Sequence, residues 1–356
     1  MNIYDISSRA GVSIATVSRV LNQNPHVSAE TRERVLRVIA DSGYVPNAFA
    51  RGLGLNTMRT IGLLSPDASD GYQAAALNYL ESSFREQGYD CLLICSGTSL
   101  AARKAGVENL KGRHVDGMVL MGSSFVGERP EENIYLREAA EGMPVALLNG
   151  EFDAPGVYSA LCDDEKAARE AVRHLIEGGK RRILHLYHAM NSSGRRKLRG
   201  YQAALKEAGI SYDEALVRSV EKDRKSIDHV MEMLRDMEAE GTRFDAAFCS
   251  EDILAVGAVK YALSRGKRIP GDLAVVGYNN SLLCRCCEPE ITSVDNQLRA
   301  LCDHIVRTMT AALEGEAAQR SRTFAGRLVI RASTDGRAGS GLNTVKKHSQ
   351  ERKDGV

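Results

Sequence analysis

From Thr60 onward the chain alternates short apolar runs with segments of helical length, and this alternation limits the fold more than any other feature. TIGLLSP, YDCLLICS, GMVLMGS, PVALLNG and YSALCD read as strands, with helices expected over 74–87, over 101–113 and between the third and fourth runs. A second series opens with a helix over 165–177. It carries RRILHLY, FDAAFCS and LAVVGY, separated by helices over 197–208, 226–240 and 253–265. Strands spaced by helices of this length build parallel sheets in doubly wound α/β units. Two series predict two similar lobes with a cleft between them, and ligands of such sheets sit outside the strand carboxyl ends. ITSV, a helix over 297–314 and LVIR come last, so the chain is expected to cross back between lobes. The expected partition is an N-lobe of about 60–160 with 292–318 and a C-lobe of about 161–291 with 319–335. The polar, Gly- and Lys-rich residues 336–356 are expected to be a disordered tail.

The first 45 residues follow a different rhythm, that of three short helices. Ile3, Ile6 and Ala10 share one helical face, and Gly11-Val12-Ser13 breaks the run. Ser13 is a good N-cap for a second helix striped by Val17, Val20 and Leu21, which leaves Thr16, Ser18, Arg19 and Asn22 outside the stripe. Asn24-Pro25 ends it. Ser28 starts a third helix carrying Val35, Leu36, Val38 and Ile39, which stops at Gly43. Two helices joined by a tight glycine turn are the DNA-reading helix-turn-helix. A further short helix is expected after Pro46, in NAFARGLGL. It is too short to persist alone in water. Gly52 and Gly54 cost it about 1 kcal/mol each relative to alanine, so a partner chain or DNA has to order it.

Charge sharpens this division. Residues 1–59 hold seven Arg against Asp5, Glu30, Glu33 and Asp41, a net of +3, while the remaining 40 basic and 42 acidic residues give −2. A basic head on a near-neutral body suits a phosphate-contacting module. No run approaches the ~18–20 apolar residues of a membrane span. The start, MNIYDISSRAGVS, lacks the basic and apolar regions of a signal peptide, so a cytoplasmic location is expected. Most of the eight cysteines sit in apolar runs and read as small core residues. Cys284, Cys286 and Cys287 cluster, but without the histidines or second pair of a metal site, so no metal or cofactor is expected. There is no GxxxxGK[ST], GxSxG, HExxH or strand-linked GxGxxG, and an enzyme is not expected.

The stretch IYDISSRAGVSIATVSRVLNQNPHVSAETRERVLRVIADSGYVPNAFARGL closely resembles the lac/gal repressor family. The likeness continues through TIGLLSPD, VDGMVLMGS, LLNG, RGYQAAL, CSEDILAVGAV, DLAVVGYNN and ITSVD, covering about residues 2–335. It implies an all-α helix-turn-helix head over 1–45, a hinge helix and linker over 46–59, and a two-lobed core over 60–335 similar to periplasmic sugar-binding proteins. It also implies a repressor that binds near-palindromic double-stranded operator DNA as a homodimer under the control of a small effector. A sugar-binding sensor without sequence-specific DNA function is the alternative. The tail has only Leu342 and Val345 before its last residue, too little for a coiled-coil seam, so a dimer rather than a tetramer is expected.

The resemblance carries roles to individual positions. The second helix is expected in the major groove, with Thr16, Ser18 and Asn22 on phosphates and Arg19 on a guanine edge. Ile14 and Ala15 hold the variable specificity positions, where apolar groups meet only a thymine methyl. Leu53 matches the wedge pushed into the minor groove, and Ala50 the small neighbour between paired hinge helices. Arg51 and Asn47 join them at the DNA. For the effector, Ser69, Asp70 and Tyr72 stand in one lobe, with the Tyr72 ring suited to a sugar face. Lys197, Glu251 and Asn279 stand in the other, where the family usually has Arg, Asn and Asp. Lysine keeps a charge but loses the guanidinium fork, and asparagine trades charge for a donor. A carbohydrate effector is expected first. A sugar acid or phosphate comes next, because Arg195 and Arg196 flank Lys197.

Overall fold

The computed structural model describes residues 2–21, 24–43, 57–220 and 226–335. The head packs three helices, α1 (Ile3–Ala10), α2 (Ile14–Leu21) and α3 (Ala29–Ser42), around Ile6, Ala10, Val17, Val20 and Val35. Each boundary has a local cause. Asn2 and Asp5 close a capping box on α1, and Gly11 ends it at φ 62°, a left-handed conformation that glycine adopts at least cost. The Ser13 hydroxyl accepts from the Thr16 amide at 3.2 Å, starting α2. Ser28 caps α3 and Gly43 ends it at φ 60°. One expectation fails here: Leu36, read as part of the apolar stripe, is 48% exposed, because Val35 already fills the inward position.

Beyond Thr57 the chain forms two six-stranded sheets. The first takes β1 (Thr60–Ser65), β2 (Asp90–Cys95), β3 (Gly117–Met121), β4 (Val145–Leu148), β5 (Val157–Cys162) and β11 (Ser321–Phe324), in the order β11-β5-β4-β3-β1-β2, all parallel. The second takes β6 (Ile183–Tyr187), β7 (Val217–Ser219), β8 (Ala246–Cys249), β9 (Ala274–Tyr278), β10 (Thr292–Asp295) and β12 (Arg327–Val329), in the order β12-β10-β9-β8-β6-β7. Its strands are parallel except for the antiparallel β10–β12 pair.

Helices cover both faces of each sheet. The N-lobe uses α4 (Gly71–Glu86), α5 (Leu100–Gly112), α6 (Ile134–Ala140) and α11 (Leu298–Leu313). The C-lobe uses α7 (Asp164–Glu177), α8 (Ser192–Glu207), α9 (Ile227–Ala239) and α10 (Asp252–Ser264). Strand alternation feeds both layers. Val119 and Met121 of β3 pack with Leu80, Phe84, Ile305 and Met309, whereas Met118 and Leu120 pack with Leu110 and Leu136. Between α7 and α8 the backbones touch: a Cβ on Gly200 would run into the Glu165 carbonyl and lie 2.9 Å from the Ala168 methyl.

The lobe boundaries differ from the expected ones. The sequence places ITSV in the N-lobe, but β10 pairs with β9 in the C-lobe sheet, and the crossing falls at Asn296. Residues 319–335 are expected whole in the C-lobe, but β11 pairs with β5, so the return crossing falls at 325–326. A strand's partner is a long-range choice that its own residues do not encode. Helix starts also moved. The helix expected at 197 begins at Ser192, because Asn191 accepts from the Gly194 amide. That expected at 74 begins at Gly71, because the Asp70 carboxylate accepts from the Tyr72 and Gln73 amides. Of the cysteines, Cys162, Cys249, Cys284 and Cys302 are buried, whereas Cys95, on edge strand β2, and Cys286 are exposed. No helix among the described residues is long and apolar enough to cross a membrane.

Candidate nucleic-acid interface and ligand cleft

Helix α2 has two unlike sides. Val17 and Val20 are buried against α1 and α3, while Ile14 (38% exposed), Ala15 and Arg19 face outward, with Thr16 and Ser18 half-buried at the margins. The Thr16 hydroxyl lies 2.9 Å from the Ser13 hydroxyl, so it is partly engaged in starting its own helix. The loop after α2 is pinned where Arg32 donates to the Asn24 carbonyl at 2.6 Å. The outward surface is therefore a short, rigidly backed stripe ending in an extended cation, a shape that fits a major groove. Asn22, Asn47, Ala50, Arg51 and Leu53 lie outside the described residues, as does the 336–356 tail.

The second site lies at the carboxyl ends of both sheets. Ser65, Asn149 and Cys162 end or follow N-lobe strands, and His188, Ser250 and Asn279 follow C-lobe strands. Most contacts there lie within the C-lobe, and Cys162 of the N-lobe reaches across to Tyr278. Asp164 accepts from the Tyr278 hydroxyl at 2.8 Å and from Arg196 at 3.2 Å, and the Cys162 thiol lies 3.9 Å from the same phenol. Lys197 is buried, donates to the Ser250 carbonyl at 3.1 Å and rests 3.8 Å from the centre of the Tyr278 ring. Burial first, and the Asp164 charge second, push the Tyr278 phenol well above its ordinary pKa. At the mouth, Arg195 of α8 forms an ion pair with Glu128 of the N-lobe and also donates to the Met190 carbonyl at 2.6 Å.

The sequence-predicted effector residues fall into two groups. Tyr72, Lys197, Glu251 and Asn279 border this cleft. The Tyr72 phenol takes a hydrogen bond from Asn149 and lies beside Asn296, whose amide donates to Asn279 at 3.2 Å. Burial pushes the Tyr72 phenol up, so it stays neutral. Asn279 and Asn280 turn the chain at φ 93° and 49°, which asparagine tolerates better than most residues. Glu251 precedes α10 without capping it, and its carboxylate lies 2.7 Å from His188 Nδ1. Ser69 and Asp70, by contrast, have visible local duties: Ser69 donates to Asp67 at 2.7 Å, and Asp70 caps α4.

Sequence reasoning missed the cleft residues Gln73, Asp164, His188 and Ser192. Some hold unspent polar atoms. Among the described residues, Ser65 Oγ, Gln73 Oε1, Ser192 Oγ and Arg196 Nε are buried with no hydrogen-bond partner. Each such atom costs about 1–3 kcal/mol, and atoms of this kind ordinarily have partners.

Residues 2–47 match the model of bacterial regulatory proteins of the lacI family, and residues 172–334 match a periplasmic binding protein-like domain. An HTH-type transcriptional regulator of Lachnoclostridium phytofermentans is 42% identical over 335 residues, covering 94% of this chain and all of the relative. The chain belongs to the lacI family. As a lacI-family member it is a DNA-binding transcriptional regulator. Solved structures of the family agree with its fold. The lac repressor dimer bound to operator and the anti-inducer ONPF superposes with a TM-score of 0.83 at 26% identity, over 94% of this chain and 99% of the other. The transcriptional regulator CelR in complex with cellobiose gives 0.67 at 28% identity, over the same shares.

Proposed function

We propose that this regulator is a repressor that binds a near-palindromic operator as a homodimer and that a carbohydrate or close derivative in the interlobe cleft controls the binding. The observation that carries the reading is the pairing, on one chain, of an outward helix stripe in the head with a cleft whose buried polar atoms lack partners. Arg19 reads a guanine edge, Ile14 and Ala15 meet thymine methyls, and Thr16, Ser18 and Asn22 meet phosphates. Residues 46–59 form the hinge, where Asn47, Ala50, Arg51 and Leu53 engage the minor groove. Ser69, Asp70, Tyr72, Lys197, Glu251 and Asn279 hold the effector. The relatives point the same way, one solved with operator and a small ligand and another with cellobiose. No catalytic step is assigned to the cleft, and the protein works where DNA is, in the cytoplasm.

Control requires the effector to favour one arrangement of the lobes over the other. Cleft closure moves the N-lobe, which leads through residue 57 to the head. The test is selection of bound sequences from random DNA by the full chain, with and without a carbohydrate panel. Enrichment of a palindrome with a flexible central step, lost or gained with one sugar, is the expected result. Failure to enrich any sequence overturns the reading.

A further inference from the structure

The crossing residue Asn296 stands between the lobes and has a neighbour in each. It follows β10 (Thr292–Asp295), precedes α11 (Leu298–Leu313) and is 4% exposed. On the N-lobe side it lies beside the Tyr72 phenol, which already takes a hydrogen bond from Asn149. On the C-lobe side its amide nitrogen donates to Asn279 Oδ1 at 3.2 Å. The other end of the amide is unused: Asn296 Oδ1 is buried without a hydrogen-bond partner. A buried carbonyl oxygen without a donor is costly, and such atoms ordinarily have partners.

The backbone that carries this oxygen is held on both sides. Val294 pairs with Tyr278 and Leu328, and Asp295 with Arg327. Gln297 adopts φ 59°, and its amide donates to Asp295 Oδ1 at 2.7 Å. Its side chain donates to the Ala325 carbonyl, also at 2.7 Å, which ties this crossing to the next. The acceptor is therefore fixed before a ligand arrives, which lowers the ordering cost of a bond made to it. Ser65 Oγ and Gln73 Oε1 are also unpartnered, but both belong to the N-lobe alone.

We propose that Asn296 is an effector-contact residue, its Oδ1 accepting the hydrogen of one hydroxyl on a ligand held in the cleft bordered by Tyr72 and Asn279. The position demands a donor, which a hydroxyl supplies and an ether oxygen or ionised carboxylate does not. The bond also falls on a segment that links the lobes, so the ligand acts directly on the crossing. The inference rests on the carbohydrate reading of the cleft and adds to it one hydroxyl that the ligand cannot lose.

The experiment is calorimetric titration of the full chain against neutral aldoses and disaccharides, followed by each monodeoxy derivative of the sugar that binds most tightly. The unmodified protein and Asn296→Ala are compared, with thermal melts to confirm that the variant folds. Asn296→Ala is expected to bind the parent sugar about three- to tenfold more weakly. One deoxy derivative is expected to bind the unmodified protein more weakly by a similar factor and to lose nothing further in Asn296→Ala, because the bond has been removed from the ligand side already. The remaining derivatives lose affinity on substitution as the parent does. A role in packing alone weakens the parent and every derivative by the same factor, and that result overturns the proposal. So does a parent affinity that the substitution leaves unchanged. Should Asn296→Ala fail to fold, Asn296→Ser, whose shorter side chain withdraws the acceptor, is taken through the same cycle. If no sugar binds the unmodified protein, the carbohydrate reading itself fails and the contact goes with it, whereas an additive cycle on a sugar that does bind sinks the contact alone.

Discussion

At the scale of single residues, the same cation that stood out in the sequence stands out in space. Arg19 lies outside the apolar stripe of α2 and is exposed. Replacing Arg19 with alanine should cost about 1–3 kcal/mol of operator binding, read by fluorescence anisotropy, and leave the melting temperature unchanged. His185 illustrates a different kind of residue. It is fully buried, donates from Nδ1 to the Phe248 carbonyl at 3.1 Å, and stacks on Tyr201 and Phe248. Burial pulls its pKa from 6.5 down to about 4. The unfolded chain therefore takes up this proton below pH 6.5 and the folded chain only below about 4. Its contribution is present above pH 6.5 and is lost between those values, on the order of 3 kcal/mol in all. Urea midpoints at pH 7 and pH 4.5 should differ accordingly, and His185→Phe should flatten the dependence. A core histidine of this sort is legible from its apolar neighbours in RRILHLY. His188 was not, since one histidine after a strand carries no periodic signal. Its meaning depends on Glu251, 63 positions later.

At the scale of elements, the strongly patterned pieces were legible and the polar edges were not. The three head helices and the buried strands announced themselves through apolar spacing at 3.6 or in runs. β7 (Val217–Ser219) and β11 (Ser321–Phe324) did not, because edge strands expose their side chains and neither is apolar along its length. α8 began a turn and a half earlier than periodicity implied, since its first residues, SSGRR, are polar and only the Asn191 cap marks the start. That early start places Arg195 in the first turn, opposite Glu128. The pair joins the two lobes at the mouth of the cleft, so opening must break it. Glu128→Lys should lower effector affinity about two- to fivefold, an exposed pair being worth ~0.2–1 kcal/mol, and Arg195→Glu in the same chain should restore it. Calorimetry on the two single variants and the double variant checks this. Non-additive recovery supports the latch, and additive losses contradict it.

At the scale of the whole molecule, the sequence carried the plan of head and two lobes but misplaced two seams. ITSV and the segment before LVIR have no local feature that names their sheet. Assignment needed the pairing of β10 with β9 and of β11 with β5. Quaternary state belongs to this scale too. For the proposed homodimer, equilibrium sedimentation should give the mass of two chains, and four would contradict it.

The three crossings, at Asp163, Asn296 and Ala325, also bear on how the molecule survives damage. Neither lobe is one continuous stretch of chain. A protease that cuts a single crossing leaves two covalent bridges and both cores in place. The nicked protein should run as two bands in denaturing gels and as one undivided particle in gel filtration. A gene truncated before residue 321 instead deprives the N-lobe of its last strand, so early termination harms the half that was made first.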